Sequence, residues 1–338
     1  MADTPDGAHP APPYAGLVPD VVLDAMDAVG LRGDGRLLAL NSYENRVWQA
    51  GTEDGPTVVL KFYRPARWTD AQILEEHDFV RELAEREIPA VAPMALAAGG
   101  AAPATLNVHA GFRFATFPRR GGRTPELDAP GVRERIGRFM GRIHALGAIA
   151  PFAHRPTLCI AEFGTEPRAM LLEGDWIPDE LREPWRTAAD LALEGVQRAF
   201  ERAGDPRAIR LHGDVHPGNL LWTDAGPHFV DFDDARNGPA IQDLWMLLAG
   251  DRPTQCGQLG DLLLGYEDFM DFDRRELNLV EALRTLRLLH YAAWIARRWH
   301  DPAFPAAFPW FGSQRYWQDR VLELREQIAL MQEPPLIA

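Results

Sequence analysis

Three oxygen-bearing side chains at fixed spacing in the segment 210–234 constrain this chain more than any other feature. Asp214 is followed by Asn219 five residues later and by Asp231 twelve residues after that. Gly213 and Gly218 lie on either side of the first loop and relax its backbone. The set offers one carboxylate that can orient a hydroxyl group and two oxygen ligands for a hard cation. The pattern therefore predicts a loop that supports phosphoryl transfer.

The same spacing is typical of the catalytic loop of protein kinases, where a metal-binding Asp follows an Asp and an Asn. It predicts that Asp214 acts as the base toward a substrate hydroxyl, and that Asn219 and Asp231 hold Mg²⁺ beside ATP. Asp, Asn and Gly are also common in ordinary turns. Other parts of a kinase occur in the expected order along the chain, which favours the catalytic interpretation.

A lysine lies inside the β-rich run 57–63, where an ammonium group needs a partner. In kinases such a lysine holds the ATP phosphates and pairs with a glutamate on the next helix. Lys61 is therefore predicted to bind ATP. The following helix, predicted over 69–86, supplies Glu75 and Glu76. Glu76 is predicted to face inward and pair with Lys61, and Glu75 is the alternative.

A polar turn at 41–46 precedes the second predicted strand. A loop that covers a nucleotide must offer backbone N–H groups or small polar donors to phosphate. Ser42 and Asn45 are the candidates in this turn. Neither a G-x-G-x-x-G loop nor a P-loop is present, so the turn is predicted to bind nucleotide only in combination with Lys61.

Asp243 begins a segment, 240–250, that is predicted to be an apolar helix. Its carboxylate is predicted to cap that helix and to bind the backbone of the catalytic loop, in a supporting rather than catalytic role. A rival interpretation uses His212, Asp214 and His216 as metal ligands of a hydrolase. That alternative leaves Lys61 and Asn219 without a role.

The order of predicted elements indicates an α+β fold with two lobes, like that of protein kinases. Residues 1–15 form a mobile tail, 16–118 a small β-rich N-terminal ATP-binding lobe, and 119–338 a mainly helical C-terminal lobe with the catalytic and substrate sites. Predicted helices in the second lobe include 131–147, 179–203, 257–271, 274–299 and 314–331.

The charge balance excludes two classes of partner. The chain has 35 Lys and Arg against 49 Asp and Glu, a net charge of −14. Nucleic acids and anionic membranes require clustered basic residues, so neither is expected as a partner.

Two cysteines cannot form a disulfide framework or a cysteine-based zinc site. The acidic N-terminus is not a signal peptide and no run of 18 apolar residues exists, so a cytoplasmic protein is expected.

The motifs carry a family resemblance. The stretch His212–Asn219 followed by 230–234 resembles the aminoglycoside-phosphotransferase-like branch of the protein-kinase fold. Further stretches are similar to the bacterial stress response kinase A family, namely 40–47, 59–68, 73–77, 233–240, 242–248 and 301–305. The resemblance as a whole extends from about residue 17 to 335.

The resemblance implies a monomeric, cytoplasmic, ATP- and Mg²⁺-dependent serine/threonine protein kinase, which also phosphorylates itself and serves stress survival. Its substrate is a protein with a Ser or Thr hydroxyl. Asp214 is then the proton acceptor, Asn219 and Asp231 are the Mg²⁺ ligands, and Ser42 and Lys61 contact ATP. Only four residues separate Asp234 from Pro239, so a long regulatory activation loop is not expected.

Two other functions stay open from the sequence. A small-molecule hydroxyl kinase of the aminoglycoside, choline or homoserine kinase type would use the same fold and the same loop. A pseudokinase would bind ATP without transferring phosphate, although such modules usually lack one of the four key residues, Lys61, Asp214, Asn219 and Asp231.

Overall fold

The chain folds into two compact units, each built from separated segments. The computed structural model describes residues 12–97, 99, 101–204 and 206–337. One unit contains the chain up to Thr69, Met94–Arg119 and Arg297–Pro309, and the other contains Asp70–Pro93, Arg120–Ala296 and the chain from Trp310 onward. Most of the predicted mobile tail at 1–15 lies outside the described residues. The predicted boundary at residue 118 stays a prediction.

The described ranges contain α-helices and strands, with 3-10 and π-helical turns between some of them. The α-helices are α1 (Pro19–Ala28), α2 (Asp70–Glu85), α3 (Val132–Gly147), α4 (Glu166–Glu173), α5 (Asp179–Ala203), α6 (Arg252–Tyr266), α7 (Val280–Arg297), α8 (Ala303–Ala307) and α9 (Gln314–Leu330). The strands are β1 (Gly33–Leu40), β2 (Arg46–Thr52), β3 (Val58–Phe62), β4 (Asn107–His109), β5 (Phe112–Pro118), β6 (Ile209–Leu211), β7 (Leu220–Thr223), β8 (Gly226–Phe229) and β9 (Arg236–Gly238).

The first unit is built on an antiparallel sheet with the strand order β1-β2-β3-β5-β4. Alternate residues of a strand point to opposite faces. Leu60 and Phe62 therefore share one face of β3, where they join a core with Val22 and Met26 of α1. Lys61 points to the other face. The β-rich first half predicted from sequence is confirmed.

The second unit is mainly helical and has one large core formed by α2, α3, α5, α6 and α7. Two short antiparallel ladders, β6 with β9 and β7 with β8, lie in this unit. They carry the segment that includes the predicted catalytic loop. Within the described ranges, no helix is long and apolar enough to span a bilayer.

Three predicted helices differ from the structure. The helix predicted over 257–271 is α6, Arg252–Tyr266, which begins and ends five residues earlier. The segment 240–250 forms two 3-10 turns, Ala240–Asp243 and Trp245–Leu247, in place of a helix. The backbone N–H of Ile241 donates to the Glu276 carboxylate, a contact that holds the first of these turns. The segment predicted as one helix over 274–299 begins as a 3-10 helix, Arg274–Leu279, before α7.

The closest packing in the second unit is between α3 and α6, and it depends on glycine. A Cβ atom at Gly137 would lie 2.0 Å from the Leu262 carbonyl oxygen, and one at Gly265 would lie 2.0 Å from the Glu134 carbonyl oxygen. These contacts are with backbone atoms, which cannot rotate away. Glycine at these positions is therefore what lets the two helix backbones approach each other.

We predict that Gly137→Ala lowers the free energy of unfolding by about 2 kcal/mol or more, because overpacking forces the helices apart. Urea unfolding followed by circular dichroism measures the change. Gly260→Ala is the matched control, since Gly260 lies in the partner helix α6 but a Cβ there meets no atom within 4 Å. The control should be neutral or more stable by up to about 1 kcal/mol. Equal effects of the two substitutions would contradict the packing argument.

Candidate active site

The backbone of the predicted catalytic loop is held by one buried carboxylate. Asp243 accepts the N–H of His212 at Oδ2 and the N–H of Gly213 at Oδ1, each over 2.8 Å. Asp243 is fully buried. The predicted contact with the loop backbone is confirmed, whereas the predicted helix cap is wrong because no α-helix begins at this residue.

A buried network fixes the Asp243 carboxylate in turn. The Nε2 atom of His144 lies 3.1 Å from Asp243 Oδ2, and its Nδ1 atom lies 3.0 Å from the Tyr266 hydroxyl. The Asp243 carboxylate can only accept, so Nε2 of His144 donates to it, and Nδ1 of the neutral ring is left as an acceptor facing the Tyr266 hydroxyl. Each member of the network has a partner, as buried polar groups require.

Gly213 allows the sharp bend between β6 and the loop. Its φ is +89°, and a Cβ there would lie 2.1 Å from the Asp234 carbonyl oxygen. The carbonyl oxygen of Gly213 accepts a hydrogen bond from Gln242 over 3.1 Å. Both backbone polar groups of Gly213 are therefore bonded to side chains of the 3-10 turn that carries Asp243.

His212 links this bend to the hairpin β7–β8. Its Nε2 atom lies 2.9 Å from the Val230 carbonyl oxygen, and its Nδ1 atom lies 3.3 Å from the backbone nitrogen of Asp214. These partners require a proton on Nε2 and a lone pair on Nδ1. The ring is fully buried against Phe232, with 4.2 Å between ring centroids. His212 therefore supports the loop, as expected, and does not act as a metal ligand.

Asn219 and Asp231 are brought together by backbone pairing. The N–H of Val230 donates to the Asn219 carbonyl oxygen over 3.1 Å, so Asp231 follows directly after a residue bonded to Asn219. The side-chain nitrogen of Asn219 donates to the Asp214 carbonyl oxygen over 2.9 Å. The amide oxygen of Asn219 is the atom left to serve as a ligand.

Asp231 has an uncommon backbone conformation, with φ +61° and ψ +65°. A non-glycine residue in the left-handed region is strained, and such strain is concentrated at functional sites. Asp231 is exposed. A carboxylate and an amide oxygen fit Mg²⁺, which binds through one or two carboxylates and keeps several waters. In the part of the chain that the structure describes, no group of three or more His, Cys, Asp or Glu side chains is arranged to hold a metal ion.

The Asp214 carboxylate has two nitrogen neighbours. Nη1 of Arg287, on α7, lies 2.7 Å from Oδ1, and Nε2 of His216 lies 3.5 Å from Oδ2. The side chain of Asp214 is 22% exposed, so a solvent-borne hydroxyl group can reach it. The sequence did not single out Arg287, because 73 residues separate it from Asp214.

The two glutamates of α2 have different surroundings in the second unit. Glu75 accepts backbone N–H groups of Ala153, His154 and Arg155, the last two over 2.8 and 2.7 Å. Glu76 is buried, as predicted, and accepts Nη2 of Arg155 over 2.7 Å. The Glu75 carboxylate is thus bound to the backbone of the loop at 153–155. The pairing of Glu76 with Lys61 stays a prediction.

Arg155 is a further residue that the sequence did not reveal. Its Nε donates to the Gln72 carbonyl oxygen over 2.8 Å, and its Nη1 donates to the Asp233 carbonyl oxygen over 2.7 Å. It therefore joins α2 to the turn that follows Asp231. No local pattern around residue 155 indicates this role, since both partners are distant in sequence.

In the first unit, Lys61 is buried at the centre of the sheet. It lies opposite Val47 on β2 and Ala115 on β5, and its Nζ atom is 5.2 Å from the centre of the Tyr63 ring. The prediction of a buried lysine on this strand is confirmed. Its role toward ATP stays a prediction.

The turn 41–46 is fixed by its own side chains. Asn45 is buried, and its Oδ1 accepts the backbone N–H of Arg64 over 3.1 Å. This contact gives Asn45 a structural role in the turn, and its predicted contact with nucleotide is untested. Ser42 is half-buried at the start of the turn. Tyr14 reaches the same turn, with its hydroxyl 3.0 Å from the Glu44 carbonyl oxygen.

A buried ion-pair network ties this turn to the segment 297–309. Glu44 lies 3.0 Å from Arg64 and 2.7 Å from Arg298, and Asp301 lies 2.7 Å from Arg64. Arg46 also pairs with Asp301 over 3.0 Å. Burial on its own would raise the pKa of Asp301, but the hydrogen bond from Arg64 and the neighbouring cations bring it below its usual range. The network holds the second half of the turn, at Glu44 and Arg46.

Comparison with known proteins agrees with this geometry. The sequence model described as "Phosphotransferase enzyme family" matches residues 36–280, which is most of the chain. The chain belongs to the phosphotransferase enzyme family, in its stress response kinase A branch. Stress response kinase A of Escherichia coli strain K12 is 47% identical over 320 residues, covering 95% of each chain. "Serine/threonine protein kinase RdoA" of Salmonella typhimurium strain LT2 is 45% identical over the same share.

Solved structures confirm the predicted fold class. The amicoumacin kinase hAmiN, in complex with AMP-PNP, Ca²⁺ and Ami, aligns with a TM-score of 0.71 at 20% identity, covering 94% of each chain. A microcompartment-associated aminopropanol kinase aligns with a TM-score of 0.66 at 17% identity, covering 93% of this chain and 96% of that one. At this level of identity the likeness concerns the fold alone.

We predict that Glu276→Gln changes how stability depends on pH. Burial raises the pKa of Glu276 to about 7 from the ordinary value of 4.5. Between these values the folded protein keeps a proton that the unfolded chain has released, so stability falls as pH rises through this window and is level above it. Gln stays neutral and can still accept from Ile241. The variant should therefore lack the fall and be more stable than wild type at pH 8, by up to about 3 kcal/mol.

Urea unfolding at a series of pH values from 4.5 to 8 measures this difference. Glu267→Gln is the control, because Glu267 is 38% exposed and paired with Arg274 at the surface. Its curve should run parallel to that of wild type. Parallel curves for Glu276→Gln and wild type would show that Glu276 does not titrate in this window.

We predict that Asp301→Ala destabilises the protein by about 3–5 kcal/mol, because it leaves Arg64 buried without one of its carboxylate partners. If the turn 41–46 contacts ATP, the KM for ATP should also rise. Asp54→Ala is the matched control in the same unit, since Asp54 is 70% exposed in its pair with Arg32. Exposed pairs contribute about 0–1 kcal/mol. Similar losses of stability in Asp301→Ala and Asp54→Ala would contradict the argument that the Asp301 ion pairs matter because they are buried.

Proposed function

We propose that this protein is an ATP- and Mg²⁺-dependent serine/threonine protein kinase that acts in a bacterial stress response and phosphorylates itself. The observation that carries the proposal is near full-length identity of 45–47% to kinases with stress response or serine/threonine kinase names. The family membership supports phosphotransfer, and the loop around Asp214 supplies the groups that such chemistry needs. A cytoplasmic, monomeric enzyme without nucleic acid or membrane partners is part of the same proposal.

The proposed roles follow from the chemistry of each side chain. Asp214 accepts the hydrogen bond of the Ser or Thr hydroxyl and orients its oxygen toward the γ-phosphorus. Asn219 and Asp231 hold Mg²⁺, which when bound neutralises charge on the ATP phosphates. Lys61 and Ser42 contact the phosphates of ATP.

A small-molecule hydroxyl kinase is the second candidate. The observation that favours it is the short connection after Asp234, where β9 pairs with β6 from Ile209↔Gly238 to Leu211↔Arg236. This pairing leaves no long activation segment on which a peptide could dock. The fold is also shared with kinases of amicoumacin and aminopropanol, although the likeness extends only to the fold.

We predict that Asp214→Asn lowers transfer from ATP by about 10²–10⁴-fold, the usual contribution of a general base, while nucleotide binding is kept. The assay is incorporation of γ-labelled phosphate into the protein itself and into a generic acceptor protein, followed by phosphoamino-acid analysis. Asp224→Asn is the matched control, because Asp224 is exposed in the β7–β8 turn, which follows the loop of Asp214 in the chain. It should retain wild-type transfer.

The outcomes separate the three candidates. Label on Ser or Thr in wild type and not in Asp214→Asn supports the protein kinase. Transfer only to small hydroxyl compounds, measured as ADP release, would favour the second candidate. Nucleotide binding without any transfer would indicate a pseudokinase. Undiminished transfer by Asp214→Asn would refute the role given to this residue.

A further inference from the structure

One arginine contacts the carboxylate that the proposed function assigns to the acceptor hydroxyl. Nη1 of Arg287 donates to Asp214 Oδ1 over 2.7 Å. The two side chains are 46% and 22% exposed, so the pair is open to solvent. An exposed pair of this kind contributes little to stability. Because Arg287 contacts a carboxylate of the proposed catalytic loop, we expect it to have a role other than stabilising the fold.

The guanidinium group is carried by a helix that is anchored in the core. Leu283, Leu286 and Leu289 of α7 are at most 2% exposed, whereas Arg287 lies on the exposed side. A fixed helix limits where the arginine can reach. Arg284, one turn earlier, pairs instead with Glu281 and Gln255, so α7 offers Asp214 a single guanidinium group.

The groups around Asp214 leave room for a hydroxyl. Arg287 contacts Oδ1, and His216 lies 3.5 Å from Oδ2. The side-chain nitrogen of Asn219 donates to the backbone carbonyl oxygen of Asp214 rather than to its carboxylate. Each carboxylate oxygen can accept two hydrogen bonds. Arg287 can therefore stay in place while the acceptor hydroxyl donates to Asp214.

The charge of Asp214 creates a difficulty that Arg287 can relieve. The acceptor oxygen must lie within hydrogen-bond distance of Asp214 and in line with the γ-phosphorus, so the carboxylate is close to a strongly anionic phosphoryl group. Like charges at short distance repel, and a cation bonded to one of them offsets the repulsion. A fixed cation also requires no rearrangement during the reaction.

We propose that Arg287 is a positioning residue for phosphoryl transfer, which fixes the Asp214 carboxylate and offsets its negative charge. This inference rests on the proposed function, in that it needs Asp214 to orient the acceptor hydroxyl. It holds equally for a protein acceptor and for a small hydroxyl acceptor. It predicts an effect on turnover rather than on ATP binding, because Arg287 acts through Asp214.

The test compares kcat and KM of Arg287→Ala, Arg287→Lys and wild type, using phosphate transfer from γ-labelled ATP to the best acceptor found for wild type. Arg287→Ala should lower kcat by about 10–100-fold, within the range of a supporting group at a catalytic base, and change the KM for ATP less than about twofold. Arg287→Lys should keep most activity, since the pair depends on a single N–H group, at Nη1 of Arg287. Millimolar guanidinium chloride should partly restore Arg287→Ala.

Arg325→Ala is the matched control, because Arg325 is an exposed arginine on α9 and its loss changes the net charge equally. It should keep wild-type kcat. Unchanged kcat in Arg287→Ala beside an active wild type would overturn this inference and leave the proposed function intact. A loss with a matching fall in thermal stability, restored by neither Lys nor guanidinium, would also overturn it. Failure of wild type to transfer phosphate to any acceptor would overturn the proposed function and the role of Arg287 together.

Discussion

The pair of hydrogen bonds from two consecutive backbone N–H groups to the Asp243 carboxylate is the constraint on which the catalytic loop depends. After Leu211 the chain leaves the ladder with β9, and the N–H groups of His212 and Gly213 bond to Asp243 instead. Unpaired buried N–H groups are costly, so the carboxylate makes the bend possible. The contacts of His212 with Val230 and of Asn219 with Asp214 then follow from the path of the backbone.

Carboxylates that are buried or half-buried have a comparable role in other parts of the molecule. Glu276 accepts the N–H of Ile241, Glu75 accepts N–H groups of the loop at 153–155, and Glu44 and Asp301 share the buried Arg64. Burying a charge is unfavourable unless it is paired or hydrogen-bonded. In each case the acid lies where irregular backbone must hold one shape, and the regular helices and strands around it are stabilised by apolar packing.

The sequence was sufficient for features that depend on local spacing. The interval between Asp214 and Asn219, and the position of Lys61 within an apolar strand, indicated elements that the structure also contains. The sequence did not show that 240–250 forms 3-10 turns, and the bond from Ile241 to the distant Glu276 that holds the first turn has no local signature. The π-helical turn Ala161–Thr165 and α4 were likewise not expected. Arg155 and Arg287 act through partners more than 70 residues away, which no local pattern records.

The membership of 297–309 in the first unit has a consequence for how the chain is made. Arg64 is synthesised early, whereas Asp301 and Arg298 follow more than 230 residues later. At about 5–20 residues per second, the ribosome needs roughly 10–50 s to bridge that interval. Throughout that time the nascent sheet carries Glu44 and Arg64 without two of their buried partners. The first unit can therefore complete its ion-pair network only after residues 70–93 and 120–296 of the second unit have been synthesised.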